Sequence, residues 1–434
     1  MKKQILTGLI FLALYGCVHS ESISAETSHI TADATTVKPV NEPLVVWSFT
    51  EEVKTMNDIW YAPGHPNVTV ELTLIPTDEF ESKLDSALAS GEGAPDIIAL
   101  EDIFVRKYIE SGLLLDLSDI AAEVKNKELA YPIEVGSFGG KTYGLTWQAT
   151  PGALFYRRSL AKKYLGTDDP AEVQKYVSSF DRFAETAALL KNKSEGMCVI
   201  LPSTADIFIA CKAARSNPWI VDGKLTIDPE MISYMEMAKT FKNEGYDGRA
   251  AQWTQRWFNG MKEKLKNDKG NNIEVFSYFL PTWGLHYVLK TNTPETTGDW
   301  AMVEGPAPYR WGGTWLAALK GTKNPEDAKD FIRYISSDYV LLGDWATSTG
   351  DVVSNTRVLK KVKDAFSEPF LNGQNHYAQF AEIAAKVNGK LSQASDKVIE
   401  DLFNEAVRAF ANGEKNRDTA IEDFTRQVNA QLGL

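Results

Sequence analysis

The sequence predicts an α/β protein with more than one core, from the order of its first elements and from its length. Leu44-Val45-Val46-Trp47 is a short β-branched run that reads as a strand. A helix is expected from Glu51 to Trp60 and a strand at Val68-Thr69-Val70-Glu71-Leu72. Asp78 to Ala89 follows as an amphipathic helix, with Phe80, Leu84 and Leu88 four residues apart on one face. Gly91-Glu92-Gly93-Ala94-Pro95 breaks it before the apolar strand Asp96-Ile97-Ile98-Ala99-Leu100. Such alternation implies a parallel sheet covered by helices, whose ligands sit beyond the carboxyl ends of the strands. Trp47 and Ser48, and Glu101 and Asp102, stand at those ends. About 390 residues after the first forty exceed a typical single core, so two domains are expected. Late helices are legible in Val398, Leu402, Ala406 and Phe410, then in Ile421, Phe424 and Val428.

The first residues read as an export signal. Lys2 and Lys3 precede an apolar run from Ile5 to Tyr15, too short to span a bilayer but of the length of a signal-peptide core. Leu14-Tyr15-Gly16-Cys17 places a cysteine where a bacterial lipoprotein is cut and lipidated, although Tyr15 departs from the usual small or aliphatic residue. An ordinary cleaved signal with an incidental cysteine is the alternative, and either reading exports the protein. Residues 1–16 are thus expected to be the signal and 17–42, rich in Ser, Thr, Ala and Glu, a flexible tether. The expected location is the outer face of the bacterial cell membrane or the periplasm, lipid-anchored. The formal charge of −12 becomes about −14 without the signal, which carries two lysines and no acid. That excess argues against nucleic acid as a partner, because phosphate binding needs clustered cations.

Catalytic and metal motifs are wanting. His19, His29, His65, His286 and His376 are scattered, without zinc spacing, and no G-x-S-x-G elbow occurs. Gly136-Ser137-Phe138-Gly139-Gly140-Lys141-Thr142 is one residue short of a phosphate loop and leads into extended chain, so it reads as a turn. Glu101 and Asp102 point in opposite directions and are no glycosidase dyad. A distant partner such as Glu51, Glu304 or Asp351 keeps an envelope-anchored glycosidase open as an alternative. No cofactor or metal is implied. Cys198 and Cys211 could meet as a disulfide across a strand, a turn and a helix, or remain two separate core thiols.

The eleven tryptophans are the pointed feature. Most stand beside Gly, Pro, Ser or Thr: Trp47-Ser48, Thr146-Trp147-Gln148, Thr282-Trp283-Gly284 and Trp311-Gly312-Gly313-Thr314-Trp315. An indole offers a flat apolar face with a polar edge, matching the C–H faces and hydroxyl rim of a sugar ring. Trp60, Trp219 and Trp300 are expected in the core, as is the pair Trp253 and Trp257, four apart on an expected helix.

Several segments, in order, resemble one family. Gly93-Ala94-Pro95-Asp96-Ile97-Ile98 resembles its G-x-P-D strand, and Ser111-Gly112-Leu113-Leu114-Leu115-Asp116-Leu117 its G-L-L stretch. Gly140-Lys141-Thr142-Tyr143-Gly144-Leu145 with Ala153-Leu154-Phe155-Tyr156 resembles its crossing between lobes. Ala301 to Pro308 through Trp311-Gly312-Gly313-Thr314-Trp315 resembles its late P-x-P … GG segment. Together they liken residues 44–434 to the extracellular solute-binding proteins of family 1, the maltose-binding-protein-like receptors of ABC importers. Trp147-Gln148, Arg157 and Val275 to Phe279 depart from the family's usual residues.

The resemblance implies a two-lobed periplasmic-binding-protein-like fold that closes on a ligand in the cleft. The first lobe would take 43–150 and again 299–345; the second would take 151–298 and the helices of 346–434. It implies a monomer that captures a carbohydrate, foremost an oligosaccharide, and delivers it to two membrane permease subunits driven by a separate ATPase. It also implies no enzymatic activity. A polyamine or other small-solute receptor of the same fold is the alternative. Trp283 is the first stacking candidate, matching the family's cleft tryptophan region, followed by Trp47, Trp147 and Trp315. Glu51, Asp102, Gln148 and Asp351 are the candidates for sugar hydroxyls.

Overall fold

In the computed structural model, residues 42–434 are described; the expected signal, the expected lipidation at Cys17 and nearly all of the expected tether lie outside them. β1 (Leu44–Ser48), β2 (Val70–Leu74) and β3 (Ile97–Glu101) pair in parallel, with β1 in the middle. Between them lie α1 (Glu51–Met56), continued by a π-helical turn at Asn57–Tyr61, and α2 (Thr77–Ser90). The expected β-α-β-α-β order is therefore present, with β2 two residues later than its apolar alternation suggested. Phe80 and Leu84 of α2 are buried against this sheet, as their spacing required. α3 (Asp102–Ile109) follows β3 without a loop. Asp96 fixes the start of β3: its carboxylate accepts the Val45 N–H at 2.8 Å and the Thr322 hydroxyl at 2.6 Å.

The second sheet is built on β4 (Pro151–Arg157), every residue of which is buried. β5 (Ser277–Pro281), β6 (Trp300–Val303) and β7 (Tyr309–Arg310) pair with it antiparallel. Side chains alternate across a strand, and here the two faces serve two cores. Ala153, Phe155, Tyr278, Leu280, Trp300 and Met302 face the core that holds the first sheet. Leu154, Tyr156, Phe279, Ala301 and Val303 face a second core built from helices. The two clusters lie on opposite faces of this one sheet. Gly152 makes this possible, because a Cβ there would fall about 2 Å from the Tyr309 ring. The Tyr309 hydroxyl donates to the Ala153 and Leu280 carbonyls, at 3.0 and 3.3 Å.

β8 (Thr314–Ala318) returns to the first sheet and pairs antiparallel with β3, Thr314 opposite Glu101. The helices beyond it divide between the cores. Trp345, Val358 and Phe380 join the first; Phe403, Phe410 and Phe424 join the second. Residues 139 and 140 form the turn of a two-residue hairpin, both at positive φ, so the glycine-rich stretch is a turn and not a phosphate loop.

No disulfide joins Cys198 and Cys211; both thiols are free and buried. The strand covers only Cys198–Val199, and the chain returns through a 3-10 turn before the helix Phe208–Ala213. Cys198 consequently lies beside Glu274 and Lys163, whereas Cys211 lies beside Glu230 and Tyr234. Burial raises both thiol pKa values, as for inert core cysteines. Among the described residues no helix is long and apolar enough to cross a membrane.

Candidate functional site

A cavity of about 320 Å³ opens beyond the carboxyl ends of β1 and β3. The turn out of β1 is fixed by Ser48, whose hydroxyl donates to the Thr50 carbonyl at 2.8 Å. Thr50 then caps α1 by accepting the Glu52 N–H at 3.4 Å. This cap sets the helix so that Glu52 lines the cavity and Glu51 is exposed to solvent. At the end of β3, one carboxylate oxygen of Glu101 accepts the Ile103 N–H at 2.7 Å and caps α3. Its side chain lines the cavity.

Asp351 follows the helix Tyr339–Thr349, whose end is turned by Gly350 at φ +77°. One oxygen of Asp351 accepts from the Trp345 indole at 3.1 Å and, at 3.4 Å, from the Gln148 amide. Burial raises the pKa of Asp351, and also that of Glu52, where the nearby Asp351 charge adds to it. Glu101 is raised by burial and then by the adjacent Asp102. His286, also on the wall, is pushed down to about 4 by burial and by Lys290, so it is neutral.

The aromatic wall is made of residues distant in sequence. Trp283 follows β5 and opens a π-helical turn, Gly284–Lys290, which carries Tyr287 one turn on. Its indole N–H donates to the Trp311 carbonyl at 3.0 Å, and the two rings meet edge to face with centroids 5.5 Å apart. Gly312, at φ +75°, lets the two approach: a Cβ there would lie 2.9 Å from the Trp283 indole nitrogen. The Gly312 carbonyl is held by the Thr150 hydroxyl at 2.7 Å.

Two polar groups on the wall have no protein partner. Gln148 is 9% exposed and Thr314 3%, and the Gln148 side-chain carbonyl and the Thr314 hydroxyl bond to none of the described residues. On the far side of Trp311 a second cavity, about 390 Å³, shares Glu101 and Gly312 with the first. Asp102 lines this second space, ion-paired with Arg310, and is absent from the wall of the first.

Of the eight expected ligand residues, Gln148, Trp283 and Asp351 are brought together in the first cavity. Trp147 and Trp315 are buried beneath it, the latter donating to the Pro132 carbonyl at 2.9 Å. Trp147 sits beside Asp351 close enough to lower its pKa, without completing a hydrogen bond. Trp47 is half-buried within the sheet, off the cavity wall, and Glu51 faces outward. Glu52 was within reach of sequence reasoning, since it lies four residues before the buried Met56 on the inward face of α1. Trp253 was expected on a helix with Trp257. It instead precedes the helix Gln255–Met261, 48% exposed, while Trp257 is buried and donates to Asp206 at 2.7 Å.

Comparison with known proteins agrees with this architecture. The profile of the bacterial extracellular solute-binding proteins matches residues 47–340. A lactose-binding protein of Rhizobium radiobacter is 24% identical over 349 residues, 75% of this chain and 77% of that protein. A crystal structure of an extracellular solute-binding protein of family 1 superposes with a TM-score of 0.81 at 20% identity, covering 90% of this chain and 99% of its own. The sugar-binding protein MalE of Xanthomonas citri superposes at 0.73 and 15% identity, with 90% and 98% covered. The match to the profile spans both the first sheet and the tryptophan wall, and the chain belongs to the bacterial extracellular solute-binding protein family.

Proposed function

We propose that this chain is the carbohydrate receptor of an ABC importer, and that it takes an oligosaccharide into the cavity beside Trp283. The observation that carries the reading is the company that Trp283 keeps: a half-buried indole stands with the unpaired Gln148 and Thr314 groups and three carboxylates. Stacking on the indole supplies affinity for a sugar face, and the buried polar groups reject an epimer that leaves them without partners. The adjoining second cavity gives room for further sugar units. The naming of relatives as lactose-binding and sugar-binding supports the same class.

In this reading the two lobes close over the sugar, and the loaded monomer delivers it to permease subunits powered by a separate ATPase. Cys17 carries the lipid anchor, and the tether lets the body reach the permease from the membrane surface. The test is a thermal-shift and calorimetric panel of mono- and oligosaccharides on the folded body. Ligand at a hundredfold over its Kd adds about 2.7 kcal/mol, enough to raise Tm visibly. The bound glycan is expected to be recovered unchanged; its hydrolysis would point to a glycosidase instead.

A further inference from the structure

We propose that the saccharide of the Trp283 cavity carries a protonated amine, as in an amino sugar or an aminocyclitol. The inference rests on the reading of this cavity as a saccharide site and concerns the charge of its ligand.

Three carboxylates, Glu52, Glu101 and Asp351, line the first cavity, and among the described residues no lysine or arginine does. In the second cavity Asp102 is paired with Arg310 and Glu400 with Lys212, while among the described residues Asp206 and Asp396 form no ion pair. Among the described residues Glu52 and Asp351 have no basic partner, and after burial the nearness of Asp351 raises the Glu52 pKa. The donors that reach Asp351, the Trp345 indole and the Gln148 amide among them, are neutral.

Acceptors also predominate among the unpaired groups. The Gln148 carbonyl, on a side chain 9% exposed, looks into the space with the three carboxylates, and the unpaired Thr314 hydroxyl is itself able to accept. An alkylammonium brings three donors, no acceptor and one positive charge, which is the complement of this wall. Trp283 and Tyr287 add aromatic faces, to which a cation is drawn. A neutral sugar hydroxyl can satisfy an acceptor but brings no charge to these carboxyls, and a uronate brings one of the wrong sign. N-acetylation removes the ligand's charge and so serves as the discriminating change.

The experiment is calorimetry on the full chain with four probes. They are an oligosaccharide of 2-amino-2-deoxyhexose units, its N-acetylated counterpart, the parent neutral oligosaccharide and spermidine. The aminated form is expected to bind at least tenfold tighter than the other two saccharides, with spermidine weaker. In Glu52→Gln the saccharide affinities are expected to draw together. A neutral or N-acetylated form that equals or beats the aminated one overturns this inference and leaves the saccharide reading standing. Spermidine bound with no saccharide bound overturns the saccharide reading itself. The wild-type comparison decides the matter even if the variant fails to fold.

Discussion

Trp253 lies nearly parallel to Trp283, with ring centroids 6.2 Å apart and 15° between planes, although its own backbone sits at φ +65°. A bulky residue in the left-handed region stores about 1–3 kcal/mol, and such strain persists where the surroundings fix it. Here the fixing contacts are Trp283 itself and the edges of Trp257 and Trp311. The outer face of Trp283 is thus covered by Trp253, which keeps that indole upright on the cavity wall.

Trp283→Ala is expected to weaken sugar binding about tenfold or more, or ~1.4 kcal/mol, while circular dichroism stays native. It should also release Trp253, seen as a change in tryptophan emission larger than one residue would give. Unchanged affinity in a folded variant would remove Trp283 from the site.

Gly312→Ala places a methyl 2.9 Å from the Trp283 indole nitrogen and puts a side chain at φ +75°. A stability loss of about 1–3 kcal/mol is expected in denaturant titration, along with weaker ligand binding. Gly321→Ala, where a Cβ meets nothing within 4 Å, is the control and should change neither.

Glu128 tests the response to pH. Its carboxyl is buried, with one oxygen bonded to Asn355 at 3.1 Å and the other unpaired, and burial pushes its pKa up to about 8. A carboxyl raised on folding contributes stability fully at pH values below its unfolded pKa of about 4.3, and loses it as pH rises through the folded value. Stability should therefore fall between roughly pH 5 and 8, and Glu128→Gln should flatten that slope and raise Tm at pH 8. Parallel slopes for variant and wild type would show that Glu128 stays charged.

In the folded body Asn41–Leu434, Cys198 and Cys211 should react with a thiol reagent only after unfolding. Reductant should leave Tm unchanged. A reductant-sensitive Tm would mean that the two sulfurs meet after all.

The first sheet was legible because each signal there is local. Val45 to Trp47, Phe80 with Leu84, and Ile97 to Leu100 carry their periods within single elements. The site was legible only in part, since it is made where such elements end. Gln148, Trp283 and Asp351 were reachable through flanking Thr, Pro and Gly. Trp147 and Trp315 have the same kind of neighbours but are core: the Trp315 indole donates to the Pro132 carbonyl and that of Trp147 stays unpaired, neither of which a local pattern reveals. Glu51 and Glu52 differ by one helical step, which the Thr50 cap decides. The cysteine pair failed because the return path is a 3-10 turn whose pitch the composition does not disclose.

The pairing of β8 with β3 bears on how the chain comes to be folded. Strand β3 ends at residue 101, and its neighbour begins at residue 314. Closing so wide a loop is slow, and pairing of this separation dominates the time a chain needs to fold. The sheet edge that bears Glu101 therefore stays open until most of the polypeptide has been synthesised. A chain with that delay built into its topology stays unpaired along this edge for longer, which suits a member of an extracellular family.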